Sequence, residues 1–376
     1  MISYGRQDIS EEDIQAVVAV LRGDWLTTGP TVERFEQALQ QRTGGTPAIA
    51  MSSGTAALHA AYAAAGLGPG DEVITPPITF VATQAALMHL GATPVFADVD
   101  PDTALIDPSA VEAAVGPKTS AIVAVDYAGH PAEMDELRAI ANKYHLLLIE
   151  DAAHSLGSTY KGRDVGSLAD LTIFSFYPTK NITTAEGGAV CSSNANLLER
   201  ARRFARQGLV RNPQEFRITG EGSWHQEVHE IGLNYRLSDI HAALGGSQLS
   251  RLQHFKQRRT EIKSALDDAF KGFGGVDIPA QRIYVDPMWH LYPLRVPHGQ
   301  RQYVFDSLRR AGIGVQVNYL PAYRHPVFEG LVEPYAYPAS ENYYAREISL
   351  PMHVGLSESD INRTVEATLH ALQEPR

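Results

Sequence analysis

Four short stretches carry side chains whose types and placement could do chemistry. In Phe174-Ser175-Phe176-Tyr177-Pro178-Thr179-Lys180 an apolar, aromatic run ends on a lysine, and the pair Gly187-Gly188 then opens a second short strand. Burial disfavours an ammonium, so a lysine at the end of a buried strand can be nucleophilic enough to form a Schiff base with an aldehyde. The plainer reading is a lysine on a surface turn. In Glu150-Asp151-Ala152-Ala153-His154-Ser155, Asp151 ends a very apolar run. A carboxylate there needs a partner, which a protonated ring nitrogen or a helix cap would supply. Ser52-Ser53-Gly54-Thr55-Ala56-Ala57 offers hydroxyls and free N–H groups at a helix start, suited to a phosphate or to simple capping. Finally, Pro76-Pro77-Ile78-Thr79-Phe80 puts an aromatic ring after a strand, for stacking on a flat ligand or for the core.

The elements that must hold these stretches alternate along the chain. Strands are expected over 48–51, 72–75, 94–98, 121–125 and 146–150, with helices over 56–65, 80–90, 108–115 and 134–143 between them. Runs apolar on both faces and separated by helices predict a mostly parallel sheet covered on both sides, with ligands at the carboxyl ends of its strands. Ahead of it, Ser10-Glu11-Glu12-Asp13 begins a helix and a second amphipathic helix carries Val32, Phe35 and Leu39. After it come a basic helix over 195–207 and a polar loop over 211–229. One long helix then runs from Ser238 towards Phe270, and a smaller α/β unit follows, with strands 291–296 and 314–319 and helices 302–310 and 358–372. The expected division is a large domain over 1–250 and a small one over 251–376.

Taken together at strand ends of one sheet, the four stretches describe a single ligand. Lys180 meets an aldehyde, Asp151 a pyridinium nitrogen and Phe80 a ring face. The Ser53-Gly54-Thr55 turn, with Ser175 five residues before Lys180, meets a phosphate. That ligand is pyridoxal phosphate.

Composition narrows the partners. A net charge of −11 argues against nucleic acid or an anionic membrane, so an anionic ligand must be held by a local site. The single cysteine, Cys191, excludes an internal disulfide and a cysteine metal cluster. Met1-Ile2-Ser3-Tyr4-Gly5-Arg6 lacks the apolar core of a signal peptide and no apolar run reaches membrane-span length, so a cytoplasmic protein is expected. His225 and His229 have helical i, i+4 spacing, but the glutamate between them is one place off the zinc-protease pattern, so no metal is expected. Tyr177 and Lys180 cannot form a dehydrogenase Tyr/Lys pair across Pro178, and no Gly-x-Gly-x-x-Gly turn follows the first strand.

The sequence resembles the sugar-nucleotide aminotransferases of the DegT/StrS family from Tyr4 to the last helix. The shared pieces include Trp25-Leu26-Thr27-Thr28-Gly29-Pro30, Gly70-Asp71-Glu72-Val73-Ile74, Asp151-Ala152-Ala153-His154, Lys180-Asn181-Ile182-Thr183-Thr184-Ala185-Glu186-Gly187-Gly188 and Gly232-Leu233-Asn234-Tyr235-Arg236. The resemblance implies the type I (aspartate aminotransferase-like) pyridoxal phosphate fold, with Lys180 as the Schiff-base lysine. It further implies Asp151 on the pyridine nitrogen, Phe80 on the ring, Gly54, Thr55 and Ser175 on the phosphate, and His154 on the phenolic-oxygen side. Asn234 would reach the phosphate of a neighbouring subunit, in a homodimer with shared sites. Tyr4, Trp25, Arg236 and Tyr319 match positions of the sugar and nucleotide pocket. The amino donor implied is an amino acid, glutamate first.

Within the family, Val125-Asp126-Tyr127-Ala128-Gly129, His290-Leu291-Tyr292-Pro293, Val317-Asn318-Tyr319 and Glu347-Ile348-Ser349-Leu350-Pro351 resemble the branch on the pseudaminic acid route. That branch implies a UDP-linked 4-keto-6-deoxy-N-acetylhexose aminated at C4; dTDP- or GDP-linked keto-sugars are the alternative. Two departures from it stand out: the segment 211–227 is longer, and Asn318 replaces an expected histidine. Two further classes are a dehydratase on this fold, which has histidine in place of the lysine, and a non-catalytic relative. Lys180 argues against the first, and the intact set of Asp151, Lys180, Ser175 and Thr55 against the second.

Overall fold

The computed structural model describes residues 1–218, 220–330 and 336–373. Its centre is a sheet of β1 (Ala48–Met51), β2 (Glu72–Thr75), β3 (Thr93–Phe96), β4 (Thr119–Val125), β5 (Leu147–Asp151), β6 (Leu171–Ser175) and β7 (Gly188–Cys191). The strand order is β1-β7-β6-β5-β4-β2-β3. The pairs β2–β3, β2–β4, β4–β5 and β5–β6 are parallel, and β7 alone runs against both its neighbours. The reversal follows from the connection: no helix lies between β6 and β7, and parallel neighbours need a long crossover. All strands are nearly buried along their length, which is why they read as continuous apolar runs.

Successive residues of a strand face opposite sides. Ala124, Leu148 and Phe174 pack into one hydrophobic cluster, and Val123, Ile149 and Ile173 into the other. The alanine-rich helix Gly54–Ala65 belongs to the second cluster, its small side chains letting it lie close to the sheet. Ser53 caps its start by accepting from the Ala56 N–H at 3.0 Å, and Gly66 ends it at φ +81°, where a Cβ would be strained.

The expected long helix is two helices, Asp239–Ser250 and Leu252–Phe270. Arg251 between them leaves helical geometry at φ −97°, ψ 4°. Its guanidinium is drawn to Asp8 at 2.6 Å and to the buried Asp13 at 2.5 Å, which also receives Gln248 at 2.6 Å. Those contacts tie the break to the helix Glu11–Leu21.

Beyond it a separate cluster gathers Ile262, Phe270, Tyr292, Leu294, Val304 and Ile348, together with Ile2. Its strands are β8 (Tyr292–Arg295) and β9 (Glu347–Leu350), paired antiparallel. The expected strand over 314–319 is not one: the segment makes single bridges on two sides, Ile313 to Ile2 and Gln316 to Ser349. With partners on both edges in turn, no continuous ladder forms. The helix Pro338–Arg346 and β9 were not foreseen. The polar loop holds a short helical turn, Pro213–Glu215, and a strand, Glu227–Val228, paired with Leu209–Val210. Among the described residues, no helix is long and apolar enough to cross a membrane.

Candidate active site

Asp151 stands at the carboxyl end of β5, in register with Ile173 of β6, so it neighbours the strand that leads to Ser175 and Lys180. It is 5% exposed. Its Oδ2 accepts from Thr83 Oγ1 at 2.8 Å and its Oδ1 from the Ala153 N–H at 3.3 Å. Burial pushes the carboxyl up from its ordinary value, while Thr83, the Ala153 N–H and the charge of Lys180 oppose that.

After β6 the chain turns, with the Lys180 N–H donating to Tyr177 O at 2.8 Å, and the lysine is left half-buried. Desolvation lowers its amine to about 8, against the pull of Asp151 in the other direction. A larger fraction is therefore neutral than in an ordinary lysine, which is what a Schiff-base nucleophile needs.

The phosphate-type stretch lies across from Ser175. A Cβ built on Gly54 would sit 2.8 Å from Ser175 Cβ and 2.9 Å from its Oγ, so only glycine lets the helix start approach β6 this closely. Thr55, in the first turn of that helix, is exposed. Thr83 Oγ1 also lies 2.8 Å from Thr79 Oγ1 and 3.2 Å from Phe80 O, which fixes the backbone beside Phe80. Phe80 is 58% exposed although Thr79 before it is buried, and its ring centroid is 6.2 Å from that of Tyr319. An open aromatic face, a helix start closed against a serine, and a buried carboxylate beside a depressed lysine fit pyridoxal phosphate.

His154 is buried, with Nε2 3.3 Å from the Tyr319 hydroxyl and its ring stacked on that of Tyr319 at 6.2 Å. The His290 ring lies 4.3 Å from it on another side. Burial lowers both imidazoles well below their usual range, with Lys180 adding to the effect, so both are neutral. Tyr4 also joins this region, since Asn318 Nδ2 donates to its hydroxyl. A Cβ on Gly5, the next residue, would lie 3.2 Å from Thr179 Cγ2, beside Lys180.

Three expected residues are placed elsewhere. Asn234 is exposed and bridged to Arg206. Arg236 bridges Met51 and lines a cavity of about 660 Å³ with Glu36, Arg202 and Arg206. Trp25, 58% exposed, lines a groove with Phe35 and Ala242. Among the described residues, none of the three hydrogen-bonds or stacks with Asp151, His154 or Lys180 of its own chain.

Sequence reasoning passed over Thr83, Asn318 and His290 as working parts. His290 was visible only as part of His290-Leu291-Tyr292-Pro293. Thr83 sits in the turn after Phe80, where a threonine has no distinctive signal. His225 and His229 both turn to Glu227, at 3.1 and 2.5 Å. Burial works against that anion, yet donors from Arg217, His229, Ile218 and His225 hold the carboxyl far below its usual range. The trio is a clasp for its loop, and among the described residues no group of His, Cys, Asp and Glu has metal-holding geometry.

Comparison with known proteins agrees with this chemistry. The sequence profile of the DegT/DnrJ/EryC1/StrS aminotransferase family matches residues 7–369. The UDP-4-amino-4,6-dideoxy-N-acetyl-beta-L-altrosamine transaminase of Campylobacter jejuni is 39% identical, covering 100% of this chain and 98% of that protein. The putative sugar aminotransferase Spr1654 from Streptococcus pneumoniae, in its PMP form, superposes with a TM-score of 0.93 at 32% identity, covering 99% of both chains. Its PLP form also superposes, with a TM-score of 0.92. Helicobacter pylori PseC, an aminotransferase involved in the biosynthesis of pseudoaminic acid, gives 0.92 at 33% identity, again covering 99% of both. With a matched profile over nearly its whole length and this site at the strand ends, the chain belongs to the DegT/DnrJ/EryC1/StrS family and is a sugar aminotransferase whose cofactor is pyridoxal 5′-phosphate.

Proposed function

We propose that this enzyme moves an amino group from glutamate to C4 of a UDP-linked 4-keto-6-deoxy-N-acetylhexose. The observation that carries the residue roles is the burial of Asp151 next to a lysine lowered to about 8. The substrate reading is supported by the motifs shared with the pseudaminic acid branch and by the activity named for the Campylobacter relative.

When bound, pyridoxal phosphate supplies an electron sink for the carbanion formed at the donor's Cα. Lys180 Nζ, more often neutral than an ordinary lysine, accepts the proton from that carbon and later returns it, as general base and acid. Asp151, whose charge Thr83 and the Ala153 N–H favour against burial, would hold a proton on the ring nitrogen. Phe80 covers one ring face. Gly54, Thr55 and Ser175 hold the phosphate at the helix start, where N–H groups are free and the helix end is positive. His154, neutral and fixed by Tyr319, lies beside the phenolic oxygen. Tyr4 and Tyr319 orient the sugar, with Asn318 setting Tyr4. Asn234, Trp25 and Arg236 complete the phosphate and nucleotide contacts of a second copy of the chain, in a homodimer. The division into domains 1–250 and 251–376 and a cytoplasmic location belong to the same reading.

The test offers glutamate and, in turn, UDP-, dTDP- and GDP-linked keto-sugars to the holoenzyme, and identifies the aminated carbon by NMR. A 4-amino UDP-sugar is the expected product. Amination of dTDP-linked 3-keto-sugars alone would end the substrate assignment and leave the reaction class standing.

A further inference from the structure

On the face of the sheet turned away from Asp151, two carboxyl groups are buried together. Glu150 precedes Asp151 on β5 and therefore lies on the side of Ala124, Leu148 and Phe174. It pairs across the strands with Ala124 and Thr172. Asp126, two residues after Ala124, comes to that side as well, and both carboxyl residues are 0% exposed.

Their hydrogen bonds are unevenly shared. Asp126 Oδ1 accepts from the Ala132 N–H at 3.1 Å and its Oδ2 from Ser155 Oγ at 2.5 Å. Glu150 Oε2 accepts from Thr172 Oγ1 at 2.8 Å. Glu150 Oε1 has no hydrogen-bond partner, and Asp126 continues the strand beside Glu150, just past the paired Ala124 and Val125. Two ionised carboxylates in such a place repel, and neither can donate. One proton removes both difficulties.

We propose that Glu150 and Asp126 share one proton at neutral pH, and that this shared proton positions the segment bearing Asp151 and His154. The segment is held at both ends by Asp126. The Asp126 N–H donates to Asp151 O at 3.1 Å, and its carboxylate takes the Ser155 hydroxyl. The groups facing the pair are few. Arg163 is the cation on the Glu150 side, Asp151 the neighbouring anion on the Asp126 side, and the buried Cys191 thiol is close to Glu150. Burial pushes Glu150 up to about 7, against Thr172, the Gly166 N–H, Asp126 and Arg163. For Asp126, burial and then Glu150 push the carboxyl up. The unpartnered Glu150 Oε1 is the oxygen at which a shared proton would close the contact between the two carboxyls. Glu150 and Asp126 are thus positioning residues, and their effect on the reaction rests on the roles proposed above for Asp151 and His154.

The test compares the wild-type holoenzyme with Glu150→Gln and Glu150→Ala. Glutamine keeps a donor for Asp126 and an acceptor for Thr172; alanine keeps neither. At about pH 6 the infrared difference spectrum, wild type minus Glu150→Gln, should contain the carbonyl band of a buried carboxylic acid, over and above any band of the buried Glu347 that both proteins share. Glutamate should bleach the cofactor band of Glu150→Gln roughly tenfold or more faster than that of Glu150→Ala.

Stability gives a second readout should the alanine variant fail to fold. The folded carboxyl titrates near 7 and an unfolded glutamate near 4.5, so between them the folded chain holds the extra proton. Wild-type stability should fall as pH rises through that window, relative to Glu150→Gln. No lost carboxylic-acid band, a glutamine variant as slow as the alanine one, or parallel stability curves would overturn the proposal. The band and the stability difference need no turnover. They would survive even if Asp151 or Lys180 variants showed that the catalytic roles lie elsewhere.

Discussion

Asp151 is 5% exposed with a donor at each oxygen, whereas Asn234 lies open to solvent and is tied down only through its backbone. The same contrast extends to their surroundings. Lys180, Ser175, Gly54 and His154 are set by the ends of β5 and β6 and by a helix start packed on the sheet, so their positions are inherited from the core. Asn234 and Trp25 are exposed and Arg236 half-buried, and among the described residues none of them hydrogen-bonds or stacks with the first group. Preorganised charge can be held only where burial and hydrogen bonds fix it. On the proposed reading the first group does the proton chemistry and the second acts across a dimer interface.

Breaking the buried half should have the largest effect. Lys180→Ala should lose the bleaching of the cofactor band by glutamate by several orders of magnitude, while circular dichroism stays native. Wild-type bleaching in that variant would remove Lys180 from the reaction. Asp151→Asn keeps the shape but not the charge, so a rate loss on the order of a hundredfold is expected with a small change in Tm. Its stopped-flow half-reaction and melting curve, read together, check this.

The exposed half is probed by mixing chains. Asn234→Asp, which sets a carboxylate against a phosphate, should lower activity by roughly tenfold or more. Mixed with Lys180→Ala it should regain activity as heterodimers form, since one pocket then has both wild-type residues. Demonstrated chain exchange without any regain would place the Asn234 contact inside one chain.

The smallest expected effect sharpens the contrast by pH. In the apoenzyme the Lys180 amine titrates near 8 instead of 10.5, so over that interval the unfolded chain binds more protons. The stability of apoenzyme should therefore rise with pH between those values relative to Lys180→Met. Parallel curves for the two proteins would show that Lys180 is not desolvated.

How much of this was legible in the sequence depended on distance along the chain. Lys180, Asp151 and the Ser53-Gly54-Thr55 turn could be read because each ends or begins an element whose apolar pattern is local. The break at Arg251 could not, since its cause is Asp8 and Asp13, 243 and 238 residues away. Residues 314–319 have a strand's composition, but the bridges here run from Ile313 to Ile2 on one side and from Gln316 to Ser349 on the other. Glu150 passed as one more residue of a strand because its meaning lies in Asp126 on the neighbouring one.

The segment around Ile2 to Tyr4 carries a consequence for the order of assembly. Ser3 meets His353 and Tyr4 meets Asn318 across separations of 350 and 314 residues. Closing so long a loop adds little free energy, since each doubling of length costs only about 0.6 kcal/mol. The burden falls on time instead. On a ribosome β5 and β6 can pair as soon as they emerge, but Tyr4 must wait until residues 312–319 and 347–353 have been made and folded. A nascent chain would hold a shaped lysine pocket long before the tyrosine beside it arrives, and a chaperone that shields early segments would delay the last side chain of the site.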